Sequence, residues 1–280
     1  MSFWTDTAFS EHCMKFHDAM GIRTRCLEAG KGAPLILLHG VGGHLEAYAR
    51  NIEAHARHYR VYALDMLGHG FTDKPDKNYE IDDYVEHLRG FCDSLGLERI
   101  RLSGESLGGW VAAKFAIKYP KRVDKLVLNT AGGLTADPAV MERIYTLTMR
   151  AVREPDRDNI RKRLEWLMAD PASVTDELVE LRFRIYSQPG FADVMERIMC
   201  LQFMDTRKRN MLQDGELRSI SAPTLVIWTT HDPTAPVAVG QRFADLIPKA
   251  RLVVMDDCGH WPQYEKAEEF NQIHLDFLAA

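Results

Sequence analysis

The stretch "IRLSGESLGGWVAAKFAIKYP" constrains the fold more than any other part of the chain. A short β-branched and leucine-containing run leads directly into Gly104-Glu105-Ser106-Leu107-Gly108, and a helical pattern starts there and runs to Pro120. A serine between two glycines, on a strand-to-helix turn, is the nucleophile-elbow pattern G-x-S-x-G. The glycines answer a steric demand, because the strained turn brings strand and helix backbones into contact. The start of the helix adds N–H groups and positive potential suited to a developing oxyanion.

Five further apolar runs have strand character: Ala33–Gly40, Tyr59–Gly70, Asp124–Gly133, Ala222–Asp232 and Ala250–His260. Runs that are apolar on both faces suit a parallel sheet covered by helices. The segment "CMKFHDAMGIRTRCLEAG" reads as an antiparallel hairpin leading into that sheet. Strand and helix alternate, which predicts an α/β fold with a mostly parallel sheet. The rhythm breaks between about Leu134 and Leu212, a stretch rich in Arg, Glu and Met and punctuated by Pro138, Pro155, Pro171 and Pro189. We expect a helical lid at 135–212, inserted between core segments 1–134 and 213–280. The insertion leaves from the carboxyl end of a strand, where open α/β sheets bind ligands.

An elbow serine needs a base, and the base an orienting acid. In this order of elements the acid follows a late strand and the histidine lies near the end. Asp232 in "THDPTAP" and His260 in "DDCGHW" fit, giving a triad of Ser106, Asp232 and His260. Asp256 and Asp257 sit in the histidine's own loop and read as turn residues. The oxyanion hole is expected from the N–H of Leu107 and from the loop "HGVGGH", with Val41 the candidate and Gly42 its neighbour.

Composition limits the remaining possibilities. The 280 residues carry 40 acidic against 35 basic side chains, for a net charge of -5, with no long Lys/Arg-rich run. That balance argues against a nucleic-acid partner. The five cysteines are an odd number, widely spaced and without a C-x-x-C pair, which reads as reduced thiols in a cytoplasmic protein. The acidic N-terminal stretch has no signal-peptide character, and no apolar run reaches the length of a membrane span. Neither a metal motif nor a dinucleotide fingerprint is present, so no cofactor is expected.

Over nearly its whole length the chain resembles the α/β-hydrolase fold. Within that superfamily it is most similar to the meta-cleavage product hydrolases, which cleave a C–C bond in 2-hydroxy-6-oxo-hexa-2,4-dienoates. "CGHWPQYEKAEEFN" places Trp261 directly after the histidine, as in that family. "YARNIEAHARHYRVYALD" resembles the segment carrying the family's asparagine, here Asn51, and "TDELVELRFRIYSQPG" the one carrying its carboxylate-binding arginine, here Arg182. The resemblance implies a small anionic substrate bound by Asn51, Arg182, Trp261 and Gly42, and a homodimer. A guanidinium fork suits the carboxylate; helix capping accounts equally for Asn51, while for Trp261 adjacency to His260 favours a site role over core packing. No acid lies three or four residues from Arg182 to pair with it.

The chain departs from the family at Glu105, where many members have asparagine, and in "HGVGGH", which lacks the family's proline. Glu105 is expected to pair with a basic or donor group behind the elbow. The other arrangement is a protonated, buried acid. Two further functions share the same triad: a carboxylesterase or other acyl hydrolase, and a ligand-sensing homologue.

Overall fold

A computed structural model describes residues 2–280. Its centre is an eight-stranded sheet: β1 His12–Ala19, β2 Ile22–Ala29, β3 Pro34–Leu38, β4 Arg60–Leu64, β5 Ile100–Glu105, β6 Val123–Asn129, β7 Thr224–Thr229 and β8 Ala250–Met255. The spatial order is β1-β2-β4-β3-β5-β6-β7-β8. β1 and β2 form the expected hairpin, β2 meets β4 antiparallel, and all pairings from β4 onward are parallel. The hairpin turns at Met20 and Gly21, both at positive φ, the geometry that suits the twist of a tight two-residue turn.

Alternation along each strand splits the core into two layers. Leu35, Leu37, Val61 and Ala63 pack with Ile52 and Phe270 on one face. Ile36, Leu38, Tyr62 and Leu64 pack with Leu88 and Phe115 on the other. The covering helices are Ala49–Ala56 and Ala267–Ala279 on the first face, and Ile81–Ser94 and Leu107–Lys118 on the second. Burial on both faces is why these strands read as unbroken apolar runs. They are shorter than the runs themselves: β4 stops at Leu64, and Asp65 to Gly70 turn away from the sheet.

Between β6 and β7 the chain is helical, with the longer helices at Pro138–Arg153, Arg157–Glu165 and Asp176–Tyr186. The Leu212 N–H donates to the Gly133 carbonyl at 3.0 Å and ties the two ends of this insertion together. The insertion lies over the carboxyl ends of β5 and β6, where the elbow opens. Among the described residues, no helix is long and apolar enough to cross a membrane. The five cysteines are unbridged.

Candidate active site

Ser106 stands between the last residue of β5 and the first of helix Leu107–Lys118, at φ 53° and ψ -113°. Such a backbone is strained for a residue with a side chain, and the packing around it enforces it. A Cβ on Gly104 would come within 2.1 Å of the Gly108 carbonyl oxygen, and one on Gly108 within 2.3 Å of the Leu38 carbonyl oxygen. Only glycine fits at either place. The Ser106 carbonyl accepts from the Trp110 and Gly132 N–H groups, which locks the turn to its helix and to the loop after β6.

His260 follows β8. Its Nδ1 lies 2.9 Å from both carboxylate oxygens of Asp232, and Asp232 Oδ1 also accepts from the Thr234 N–H and hydroxyl. This fixes the imidazole with Nε2 turned into the molecule. Burial alone would lower the His260 pKa. The Asp232 charge and hydrogen bond, aided by Glu105, outweigh it, and the net shift is upward. Ser106, His260, Val41 and Leu107 all line one cavity, part of it open to solvent. Trp261 lines it too. The Ser106 hydroxyl makes no hydrogen bond with a described residue, a common state for a site without substrate.

Glu105 departs from expectation. It has no partner behind the elbow. Its side chain lies against Gly40 in the same cavity, with Oε1 3.3 Å from His260 Nε2. No side-chain donor other than His260 reaches its oxygens, and the Gly40 N–H is the backbone donor beside them. Burial pushes its carboxyl up to about 7, against the opposing pull of His260. Neither expected arrangement is found as stated: the carboxyl is raised towards neutrality by desolvation, and it faces His260 instead of a group behind the elbow. The reason is positional: the residue before the elbow still belongs to β5 and points towards the oxyanion loop.

Arg182 is buried on helix Asp176–Tyr186. Its Nη1 donates to the Tyr186 hydroxyl at 3.2 Å, and that hydroxyl donates to the Gly42 carbonyl. Its guanidinium also lies 5.4 Å from the Trp261 ring, a cation–π distance. Nε and Nη2 are buried without partners. Gly42 sits one layer behind the cavity wall, at φ +66°, and a Cβ there would meet the Tyr186 hydroxyl at 2.8 Å.

Asn51 is placed elsewhere. Its amide donates to the Gln263 carbonyl and to Asn271 Oδ1, joining helix Ala49–Ala56 to the C-terminal helical region. It does not line the cavity. Its position inside a helix on the far face of the sheet points it at that neighbouring helical region, so it is a packing residue and not a substrate ligand.

Two wall residues had no local signal. Arg163, from helix Arg157–Glu165, donates through Nε to the Thr148 hydroxyl, and its buried Nη1 has no partner. Arg207 donates to the Thr135 and Leu201 carbonyls. Burial lowers both guanidinium pKa values to about 10, so both remain cationic. Each lies on a charged helical stretch that reads as solvent-facing, and only the folding-back of the insertion brings it to the cavity.

Residues 33–267 match the family model described as alpha/beta hydrolase fold. The chain is 36% identical over 272 residues to a 2-hydroxy-6-oxo-2,4-heptadienoate hydrolase of Pseudomonas putida, covering 94% of this chain and 95% of that protein. It is 34% identical over 291 residues to a 2-hydroxy-6-oxononadienedioate/2-hydroxy-6-oxononatrienedioate hydrolase of Paraburkholderia phymatum, covering 98% and 97%. Among solved structures, the meta-cleavage product hydrolase of Pseudomonas fluorescens IP01 superposes with a TM-score of 0.83 at 33% identity, covering 95% of this chain and 97% of that one.

Proposed function

The chain belongs to the α/β-hydrolase family and, within it, to the meta-cleavage product hydrolases, and on that footing we propose that it cleaves a C–C bond in 2-hydroxy-6-oxo-hexa-2,4-dienoates. The products are a 2-hydroxydienoate and a carboxylic acid. One observation carries this reading: a serine elbow with an aligned His–Asp pair opens on a cavity walled by buried guanidinium groups. An enzyme for neutral esters has no use for such a wall.

The chemistry follows from the groups present. A carbon leaving group needs somewhere to put its electron pair, and a keto acid conjugated through the diene holds it as a dienolate. The substrate carboxylate therefore has to be gripped, and Arg163 in the cavity wall, with Arg182 outside the lining beside the Trp261 ring, has unpaired N–H donors for it. Ser106 Oγ attacks the 6-carbonyl while His260 Nε2 takes its proton. Asp232 holds the imidazole and stabilises the imidazolium. The new oxyanion is received by the Val41 and Leu107 N–H groups. A proton moves from the 2-hydroxyl to C5 before attack, so that as the C5–C6 bond breaks its electron pair passes through the conjugated chain onto the 2-oxygen as a dienolate, which takes up the proton held by His260 to give the 2-hydroxydienoate. Water, deprotonated by His260, then hydrolyses the acyl-serine.

The test is direct. The purified protein is mixed with a panel of coloured dienoates, and loss of visible absorbance is followed alongside hydrolysis of neutral aryl esters. Steady bleaching of at least one dienoate at a kcat/KM well above that for the esters is expected. Ester hydrolysis alone would return the chain to the acyl hydrolases. Neither activity would leave a sensor.

A further inference from the structure

Ser106 and His260 come from separate loops, and no hydrogen bond joins their side chains. The backbones that carry them set their spacing. Both are fastened to one short segment, residues 129–132, at the carboxyl end of β6, the strand between β5 and β7.

The elbow is held from this segment by main chain. The Ser106 N–H donates to the Asn129 carbonyl at 3.0 Å, and the Ser106 carbonyl accepts from the Gly132 N–H at 2.9 Å. The histidine loop is held from it by side chains. The Thr130 hydroxyl donates to the His260 carbonyl at 3.0 Å, and the Asn129 amide donates to Gln263 Oε1 at 2.7 Å. Among the described residues, no other donor reaches the His260 carbonyl. The Thr130 N–H donates to the Ile227 carbonyl on β7, the strand that leads to Asp232. The elbow, the loop of the base and the strand behind the acid thus all meet at Asn129 and Thr130, both of them buried.

Thr130 makes these bonds from a strained backbone. Its φ is 42°, in the left-handed region where a β-branched residue is an outlier and glycine fits without penalty. Glycine would relieve the strain and lose the hydroxyl. Such strain persists where the surrounding structure imposes it, and it clusters at functional sites. Without the hydroxyl the buried His260 carbonyl has no donor, and its loop is free to shift. A displacement of about 1 Å at a reacting pair can slow the chemistry about a hundredfold.

We propose that Thr130 is a positioning residue of the catalytic site: its hydroxyl fixes how far the His260 imidazole stands from Ser106 Oγ, with the Asn129 amide as the second fastening. It acts through His260 and takes no proton itself. This rests on the serine-hydrolase part of the reading above and is independent of which substrate is cleaved.

The test uses two variants, Thr130→Val, which keeps the branched shape without the hydroxyl, and Thr130→Ser, which keeps the hydroxyl. Thr130 also lines the cavity, so KM is followed beside kcat. On the dienoate that the wild type bleaches fastest, Thr130→Val should lose at least tenfold in kcat with KM within twofold, and Thr130→Ser should stay within threefold of wild type. An unchanged kcat in Thr130→Val, a loss confined to KM, or an equal loss in Thr130→Ser overturns the proposal. Should Thr130→Val fail to fold, Thr130→Gly, which the backbone favours, takes its place with the same expectation. A second measurement needs no dienoate: the rate at which diisopropyl fluorophosphate labels Ser106. There the Oγ–P bond forms, the P–F bond breaks, fluoride leaves, and the serine proton passes to His260 and on to water. Labelling should slow at least tenfold in Thr130→Val and hardly at all in Thr130→Ser; equal rates in all three proteins overturn the proposal. If no dienoate is bleached but labelling shows this difference, the dienoate reading fails and the positioning role stands. A wild type that neither bleaches nor is labelled overturns both.

Discussion

Glu105 Oε1 lies 3.3 Å from His260 Nε2, so the imidazole meets a carboxylate at each nitrogen. The Asp232 side is a fully formed hydrogen-bonded pair. The Glu105 side is a buried acid with the Gly40 N–H as its further donor. Two protonation equilibria are therefore linked at one ring.

Glu105→Gln is expected to stabilise the protein above neutrality. The folded-state carboxyl at about 7 lies above its ordinary 4.5, so the folded state holds its proton more tightly than the unfolded chain does. Stability from this group is full below pH 4.5 and is lost as pH rises to 7. The deficit at pH 8 is about 3 kcal/mol. Thermal melts of both proteins at pH 5 and pH 8 check this: the variant's advantage should appear at pH 8 and shrink at pH 5.

The same variant should move the acidic limb of the kcat/KM profile. His260 acts as a base only when Nε2 is free, and the Glu105 charge helps to raise its pKa. Removing that charge shifts the limb to lower pH. A profile that superimposes on the wild type would show that the two groups do not communicate.

Ser106→Ala should abolish turnover, with a loss of roughly three to six orders of magnitude, because the residues of such a triad act as a unit. The melting temperature should be kept or raised, since the strained elbow loses no contact that holds it. Near-normal rates from pure variant protein would remove Ser106 from the mechanism.

Arg182→Gln should raise KM for dienoates by about ten- to a hundredfold, the equivalent of roughly 1.5–3 kcal/mol for a charge-assisted bond. Neutral aryl esters serve as the control and should lose far less. Equal losses would mean that Arg182 matters through its hydrogen bond to Tyr186, which braces the Gly42 carbonyl.

Asn51→Ala separates packing from binding. The amide bonds to Gln263 and Asn271 are buried, so their loss should cost about 1–3 kcal/mol in a denaturant titration. KM for the dienoate should stay within twofold of wild type. A large KM change with intact stability would return Asn51 to the substrate.

The strands, and the loops that carry the triad candidates, were legible because their determinants are local. A buried strand is a run of apolar residues, and the elbow is a steric necessity written in five consecutive letters. The loops carrying Asp232 and His260 follow directly from strand ends. The identity of Glu105's neighbours was not legible, since it depends on the Gly40 loop folding across the end of β5. Arg163 and Arg207 were hidden for a related reason. Each sits in a charge-rich helix that looks solvent-facing until the insertion is laid on the sheet. Asn51 failed in the other direction: a matching segment fixed its helix but not which face of the sheet that helix would cover.

The insertion does more than roof the cavity. The His260 N–H donates to the Leu167 carbonyl at 2.7 Å. Glu265 accepts from Ala169 and Asp170 in the insertion with one oxygen, and from Gly259 with the other. The general base is thus stitched to the insertion by a seam of backbone amides. Raising that edge would carry the imidazole away from the serine, so an unlatched molecule is also a disarmed one. Damage to the insertion far from the cavity should therefore register as slower chemistry, even where substrate binding is untouched.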